Sequence, residues 1–191
     1  MNYKRIKNRF KASDVFFGIF ILALLIPQTR KPIQVAVNKV KVLVWSPSAK
    51  AAEDQAQLPP FDYHVKTLDG QLKTIEIGKG KPTFISYWAT WCAPCLAELP
   101  SIEKLYAEYG EQINFVLLTN EQLETLEAFL KKKPYALPIF TTRMAPPTLL
   151  LENSIPTNYL IDQDGKIIIK ETGAADWNSE SVRRTIDTLL E

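Results

Sequence analysis

The stretch Thr83–Cys95, which reads TFISYWATWCAPC, determines the fold prediction for this chain. Its first six residues, Thr83–Trp88, are a short apolar run of the length typical of a buried β-strand. The stretch ends in two cysteines separated by Ala93 and Pro94, and residues 95–109 follow with a helical pattern. Proline is favoured in the first turn of a helix, because the amide groups there have no intrahelical partner. The segment therefore predicts a strand that leads directly into a helix at the cysteine pair.

The position of the two cysteines at a helix start predicts redox chemistry. Unpaired N–H groups and the positive end of the helix dipole favour a thiolate over a thiol there, and the thiolate is the species that attacks a disulfide. We therefore expect Cys92 to be an exposed nucleophile and Cys95, one turn further in, to resolve the mixed disulfide. A pair with this spacing can also bind a metal or be incidental. A structural zinc site needs four ligands, and the chain has only two cysteines and one histidine, His64, so no metal and no cofactor beyond the disulfide itself are expected.

The rest of the chain after residue 60 predicts an α/β domain. Alternating or apolar runs mark strands, turn residues such as Asp69-Gly70 mark hairpins, and amphipathic runs mark helices. The predicted elements are a hairpin of Tyr63–Leu68 and Leu72–Ile77, a strand Ile113–Thr119, a helix Asn120–Lys132 capped by Asn120, a hairpin of Thr157–Ile161 and Lys166–Lys170, and a helix Asn178–Leu190. This order predicts a βαβ unit followed by a ββα unit.

The N-terminus predicts a membrane anchor. Residues 1–11 are basic, and Val15–Ile26 is an uncharged apolar run of about 12 residues, shorter than the roughly 20 that span a bilayer. Extending it to residues 12–29 brings it near spanning length, with flanking basic side chains able to reach the headgroups. An uncleaved signal anchor is therefore predicted over 12–29; a cleaved signal peptide and a buried soluble helix are the alternatives. Five basic residues before the segment against two after it predict a cytoplasmic N-terminus at 1–11 and an extracytoplasmic domain.

Residues 30–57 are predicted to be a juxtamembrane amphipathic segment and a linker. Ile33, Val37, Val40 and Val44 fit one face of a helix, which favours either a basic helix on a membrane surface or an element packed on the domain. The proline-bounded run Ser46–Pro60 is typical of a linker.

Charge is distributed unevenly along the chain. Residues 1–52 contain ten Lys/Arg and one acidic residue, a net charge of +9, whereas the remainder has a net charge of −7. An acidic globular part argues against nucleic acid as a partner, because phosphate binding requires a basic face on the folded domain.

The run Tyr87–Cys95 (YWATWCAPC), together with Glu98-Leu99-Pro100, resembles the signature of the TlpA/ResA-like thioredoxin family, over roughly residues 58–191. The resemblance implies a thioredoxin fold with an N-terminal β-hairpin extension, preceded by a single membrane-anchor helix. It implies a thiol–disulfide oxidoreductase on the periplasmic side of the bacterial cytoplasmic membrane. Its partners would be protein disulfides or dithiols, apocytochrome c among them, and an upstream membrane or envelope electron donor. The family position suggests reduction, and oxidation remains open.

The resemblance also implies a substrate-binding site opposite the cysteines. Thioredoxin folds carry a cis-proline there, and Ile155-Pro156 before a strand fits it, with an ordinary trans-proline as the alternative. The Ile155-Pro156 backbone, Trp91 and Pro94 would then contact an extended substrate segment.

Glu98 is the third residue that the resemblance implies for catalysis. Family members with a glutamate at this position use it near the thiols, where it can raise a thiol pKa or pass a proton to Cys95. The alternative is an exposed helix glutamate paired with a lysine. Thioredoxin has a buried aspartate six residues before the first cysteine, where this chain has Ser86, which cannot accept a proton at neutral pH and so moves that role towards Glu98.

Two other classes of function compete with this prediction. A peroxidase-like enzyme of the same superfamily would need an arginine near its reactive cysteine, and the nearest arginine in sequence is Arg143. A non-catalytic binding or chaperone module would keep the groove around Pro156 without needing both thiols.

Overall fold

The computed structural model describes residues 11–142, 144–151 and 153–191. They form a mixed seven-stranded sheet with helices packed against it. The helices are α1 (Ala12–Leu25), α2 (Pro27–Val44), α3 (Ala93–Tyr109), α4 (Leu123–Lys132) and α5 (Glu180–Leu190). The strands are β1 (Phe61–Lys66), β2 (Leu72–Ile77), β3 (Thr83–Tyr87), β4 (Asn114–Thr119), β5 (Ile139–Thr141), β6 (Thr157–Ile161) and β7 (Ile167–Thr172).

The strand order is β2-β1-β5-β4-β3-β6-β7. The three central strands β3, β4 and β5 run parallel to one another. All other strand pairs in the sheet are antiparallel. Both predicted hairpins are present as β1–β2 and β6–β7, and the predicted α/β thioredoxin fold is confirmed. The apolar run of β3 is buried on both faces of the sheet, and its carboxyl end delivers the chain to the cysteine pair.

Two apolar clusters cover the faces of the sheet. Phe84 of β3 and Leu117 of β4 pack with apolar residues of α3, α4 and α5 on one face. Ile85 of β3 and Val116 of β4 point to the other face, where Leu58 covers them. Because side chains alternate between the two faces of the sheet along each strand, α3 packs against the face on which Phe84 lies.

The N-terminal segment differs from the single helix predicted over 12–29. Helix α1 ends at Leu25, Ile26 is extended, and α2 begins at Pro27. The break follows from Pro27, because a residue before proline is disfavoured in the helical region and proline favours the first position of a new helix. The two helices are bent by 101° to each other, and within residues 11–142 no single helix has both the length and the apolar content to cross a bilayer, although the bent pair meets that test together. The basic segment 1–10 lies outside the described residues.

Helix α2 resolves the ambiguity between helix and strand for residues 33–45. It packs alongside α3, with Val35 against the main apolar cluster. At its start, the Lys31 ammonium donates to the Thr90 carbonyl at 2.9 Å; beyond its end, the Trp45 indole donates to Glu171 at 2.9 Å. Both ends of this helix are therefore attached to the domain.

The run Ser46–Pro60 is not the free linker that its composition predicts. The amide of Leu58 donates to Gly165 and the amide of Ile167 donates to Ala56, each at 2.9 Å, and Leu58 is fully buried. The prediction is wrong because one apolar side chain among the small and polar ones fills a gap in the second cluster. Gly165 permits this approach, since its φ is +92° and a Cβ there would lie 2.6 Å from the Leu58 carbonyl oxygen.

Helix α4 begins later than predicted. Its N-cap is Gln122, and Asn120 lies before the helix. The intervening Glu121 is held by hydrogen bonds to Thr119 and Thr90, so the chain turns into the helix only after it.

Candidate active site

The two cysteines occupy the first turn of α3. Cys92 is the N-cap residue, with extended φ and ψ, and the Cys95 amide donates to its sulfur at 3.2 Å. Pro94 lies in the first turn, where its missing N–H group would have had no partner within the helix. The two sulfurs form a disulfide, with the Cα atoms 5.3 Å apart. An amide N–H directed at the sulfur stabilises negative charge on Cys92 once the disulfide is reduced.

The burial of the pair corrects one expectation. Cys92 is 4% exposed rather than open to solvent, because it packs with Trp88 and Ala89 in the main apolar cluster. Cys95 is fully buried, as its inner position predicts. The exposed side chain at this site is Trp91, which is 65% accessible.

The proline predicted to face the cysteines directly precedes β6, the strand that pairs with β3. The Ile155–Pro156 peptide bond is cis, as the resemblance implies. Thr157, the next residue, pairs across the sheet with Tyr87 at the end of β3. Pro156 is buried and its carbonyl accepts from the Gly173 amide at 2.9 Å, whereas Ile155 is half-buried at the surface.

A groove of about 400 Å³ is lined by Trp91, the residue that directly precedes Cys92. Trp88 and Trp91 form one wall and Ile155 another, and the loop residues Met144 and Pro146 line its far side. The groove brings two of the predicted substrate-binding residues, Trp91 and Ile155, to one surface. Their contact with a substrate stays a prediction.

Glu98 is 1% exposed, so the interpretation as an exposed helix residue paired with a lysine is wrong. It follows Cys95 by three residues and therefore shares its helix face. Its carboxyl oxygens accept from Asn158 Nδ2 at 2.8 Å and from the Ala175 amide at 3.2 Å. Burial raises the pKa of Glu98 to about 8, and these two hydrogen bonds only partly oppose that rise.

Asn158 links Glu98 to Ser86, the residue at the position where thioredoxin carries its buried aspartate. Ser86 is fully buried and is the cross-strand partner of Asn158, the same residue that donates to Glu98. The carboxyl group of α3 thus lies against the part of the sheet where thioredoxin carries its aspartate.

Sequence reasoning missed a second carboxylate, Glu121. Its two oxygens accept from the Thr90 amide at 2.6 Å and from the Thr90 hydroxyl at 2.7 Å. Thr90 lies two residues before Cys92, and Lys31 holds its carbonyl from the other side. The sequence does contain a signal for this contact. Thr90 follows β3 and Glu121 follows β4, and parallel neighbouring strands end at the same edge of the sheet, which brings the two residues together.

The remaining sequence candidates lie away from the disulfide or outside the described part. His64 is exposed on β1, where its ring contacts Thr74. Arg143, named for the peroxidase alternative, is outside the described residues. Among those that are described, no group of three or more His, Cys, Asp or Glu side chains is placed to hold a metal ion.

Comparison with known families decides the assignment. The Redoxin family model matches residues 51–189, the whole of the domain described above. The chain belongs to the Redoxin family. The match begins before β1 and includes the cysteine pair, Glu98, Glu121 and Pro156.

Relatives in Bacillus narrow the assignment. The chain is 33% identical to the thioredoxin-like protein YneN of Bacillus subtilis, over 56% of this chain and 65% of the relative. It is 28% identical to sporulation thiol-disulfide oxidoreductase A of the same organism, over 73% and 87%. It is 30% identical to the thiol-disulfide oxidoreductase ResA of Bacillus cereus, over 59% and 66%. The aligned region thus covers just under two thirds of YneN and ResA.

Solved structures agree on the fold. A putative thiol-disulfide oxidoreductase from Bacteroides vulgatus superposes with a TM-score of 0.57 at 28% identity, over 73% of this chain and all of that structure. The predicted TlpA/ResA-like thioredoxin-superfamily membership is confirmed by the family and these relatives, and the CxxC pair stands at disulfide distance. The boundaries predicted for the N-terminal segments and the roles of the individual site residues stay predictions.

Proposed function

We propose that this chain is a membrane-tethered, extracytoplasmic reductase of protein disulfides, with Cys92 as nucleophile and Cys95 as resolving thiol. The observation that carries the proposal is the position of Cys92 as N-cap of α3, with the Cys95 amide directed at its sulfur. A thiolate at a helix start is stabilised by the unpaired amides and the helix dipole once the pair is reduced.

The reaction takes place in two exchange steps. The Cys92 thiolate attacks one sulfur of the substrate disulfide, which forms a mixed disulfide and releases the first substrate thiolate. Cys95 then attacks the Cys92 sulfur, which releases the second substrate thiol and closes the Cys92–Cys95 disulfide. Two electrons pass from the enzyme pair to the substrate, and a dithiol donor at the membrane or in the envelope returns the pair to the reduced state.

Glu98 handles the proton of the second step. Cys95 is buried and must lose its proton before it attacks. A carboxyl group with a pKa of about 8 is closely matched to an ordinary thiol, whose pKa is about 8.5, so the proton transfers at little cost. The same group returns the proton when the donor reduces the pair.

The tether is proposed from α1. From Val15 to Leu25 this helix has a continuous uncharged sequence, and among its described large apolar side chains Phe16 is 80% and Leu25 is 73% exposed. Exposed apolar area of this extent is characteristic of a surface that contacts lipid or protein. The excess of basic residues before α1 supports a cytoplasmic N-terminus and a domain on the outer side.

The test combines insulin-disulfide reduction with the reduction potential of the pair. We expect Cys92→Ser to abolish reduction and Cys95→Ser to accumulate mixed disulfides with substrate. We expect a potential near about −270 mV, the value of thioredoxin, rather than near the about −120 mV of a strong oxidant. Full activity of Cys92→Ser would overturn the catalytic assignment, a strongly oxidising potential would reverse the direction, and peroxide turnover in place of insulin reduction would favour the peroxidase alternative.

A further inference from the structure

Helix α2 has two different faces. Val35, Asn38 and Val42 recur at the spacing of one helix face and are half-buried on the side of the domain. The opposite face carries an apolar stripe, formed by Val37 at 64%, Val40 at 62% and Val44 at 78% exposure, with the half-buried Ile33 on the same face. Packing on α3 therefore accounts for one face only and leaves an apolar stripe uncovered within the described chain.

The charges of α2 indicate which kind of surface would bind this stripe. The helix contains Arg30, Lys31, Lys39 and Lys41 and no acidic residue. By helical periodicity, Lys39 and Lys41 project on opposite flanks, between the stripe and the domain side, and the Lys41 ammonium lies 5.9 Å from the centre of the Trp45 ring. An apolar face with lysines along both edges matches the boundary between acyl chains and anionic headgroups, where lysine stems lie along apolar surface and the ammonium groups meet phosphate.

The bend before Pro27 is compatible with a defined orientation at the membrane. Helix α1 exposes apolar side chains and meets α2 at 101°. A helix that enters a bilayer along its normal therefore leaves α2 nearly parallel to the surface. In that orientation the domain lies on one side of α2 and the lipid on the other.

We propose that the apolar stripe of α2 (Ile33, Val37, Val40 and Val44) lies on the anionic surface of the membrane and holds the domain against it. The inference rests on the membrane tether of the proposed function, and it adds a second, surface-bound attachment with a defined orientation. Helix α2 is then an interfacial layer between bilayer and enzyme.

The attachment has a consequence for the active site. The first turn of α2 is joined to the active-site loop by the hydrogen bond from Lys31 to the Thr90 carbonyl, two residues before Cys92. The active-site loop is thereby attached directly to the helix that lies on the membrane surface. This position favours partners that present their cysteines at the membrane surface over freely diffusing proteins.

The test uses the full chain in vesicles of brominated phosphatidylcholine and phosphatidylglycerol. Bromine quenches tryptophan emission only at short range, so the variant Val40→Trp reports contact between the stripe and lipid. Leu72→Trp is the matched control, because Leu72 is 88% exposed on β2, the edge strand at the opposite end of the sheet from β7. The emission added by each variant is compared with that of the parent chain.

We expect strong quenching of the added indole in Val40→Trp and none in Leu72→Trp. Adding Val37→Glu and Val44→Glu to Val40→Trp abolishes the quenching, while the chain still floats with the vesicles through α1 and still reduces insulin. Quenching that survives both glutamates, or an unquenched Val40→Trp indole in chains that float, overturns the inference and leaves the proposed redox function standing.

Two further outcomes are distinguished by the same samples. A chain that does not float with vesicles overturns the tether together with this inference, whatever its activity on insulin. A second copy of the chain covering the stripe would give an unquenched indole and a dimer in detergent that Val37→Glu/Val44→Glu converts to a monomer, and this too overturns the inference.

Discussion

Glu121 holds Thr90 by two hydrogen bonds, accepting from the amide at 2.6 Å and from the hydroxyl at 2.7 Å. Thr90 is 8% exposed, so neither of its donors has ready access to water. The loop between β3 and α3 is therefore held by a carboxyl group from the segment that follows β4. Because Cys92 follows two residues later, this contact positions the sulfur relative to the helix start.

Removing the Glu121 carboxylate tests the positioning role. Glu121→Ala leaves the Thr90 donors without their acceptor, and we expect the free energy of unfolding to fall by about 1.5–3 kcal/mol, the range for hydrogen bonds to a charged group. Glu124→Ala, on the exposed first turn of α4, should change it by less than about 0.5 kcal/mol. Urea denaturation of the oxidised chain measures both, and equal effects of the two variants would rule out the role.

The kinetic role of Glu98 is tested by its neutral isostere. Glu98→Gln keeps the shape and cannot accept the Cys95 proton, so we expect resolution of the mixed disulfide to slow by about 100-fold at neutral pH. In the parent chain the same rate should rise as the pH approaches 8, because a pKa of about 8 means that the accepting carboxylate form becomes more populated. Single-turnover reduction of insulin measures the step, with Glu108→Gln on the exposed side of α3 as control. A Gln variant that resolves as fast as the parent would assign the proton to another group.

The raised pKa of Glu98 also predicts how stability depends on pH. The folded chain keeps a proton that an unfolded glutamate, with its ordinary pKa of 4.5, has already released. The unfolded state therefore binds fewer protons between these two values, and the free energy of unfolding falls as the pH rises through this window, by up to about 1.4 kcal/mol per pH unit. The slope belongs to Glu98, so Glu98→Gln should lack it. Urea denaturation across the window compares the two chains, and parallel profiles would contradict the buried, protonated state.

The parts of the fold that the sequence predicts well have local causes. Pro94 beside two cysteines after an apolar run fixes the start of α3, and Asp69-Gly70 between two alternating runs fixes the first hairpin. The site residue Glu98 was found through a family resemblance, and helical spacing from Cys95 supports it. Each of these signals is contained in a few consecutive residues.

The parts that the sequence does not predict depend on contacts between distant segments. The hydrogen bonds of Glu121 to Thr90 span 31 residues, and they delay the start of α4 beyond Asn120, which local capping rules favour. The same holds for Leu58, whose burial depends on a loop more than a hundred residues away. The composition of such a segment is polar on average, and it does not show which single side chain is buried in the core.

Trp91 supplies the last prediction, which concerns recognition of the substrate. It is 65% exposed and lines the groove of about 400 Å³, so it contributes little to the core and offers a large apolar surface to an incoming chain. We expect Trp91→Ala to raise the KM for insulin about tenfold, which corresponds to about 1.4 kcal/mol of lost contact, and to change the free energy of unfolding by less than about 0.5 kcal/mol. Reduction of a small disulfide such as hydroxyethyl disulfide should be unaffected, because it does not extend to the indole. Leu72→Ala, an exposed apolar residue on the far edge of the sheet, is the control and should leave both substrates unchanged. Equal losses with insulin and the small disulfide would show that Trp91 acts on the sulfur chemistry rather than on recognition.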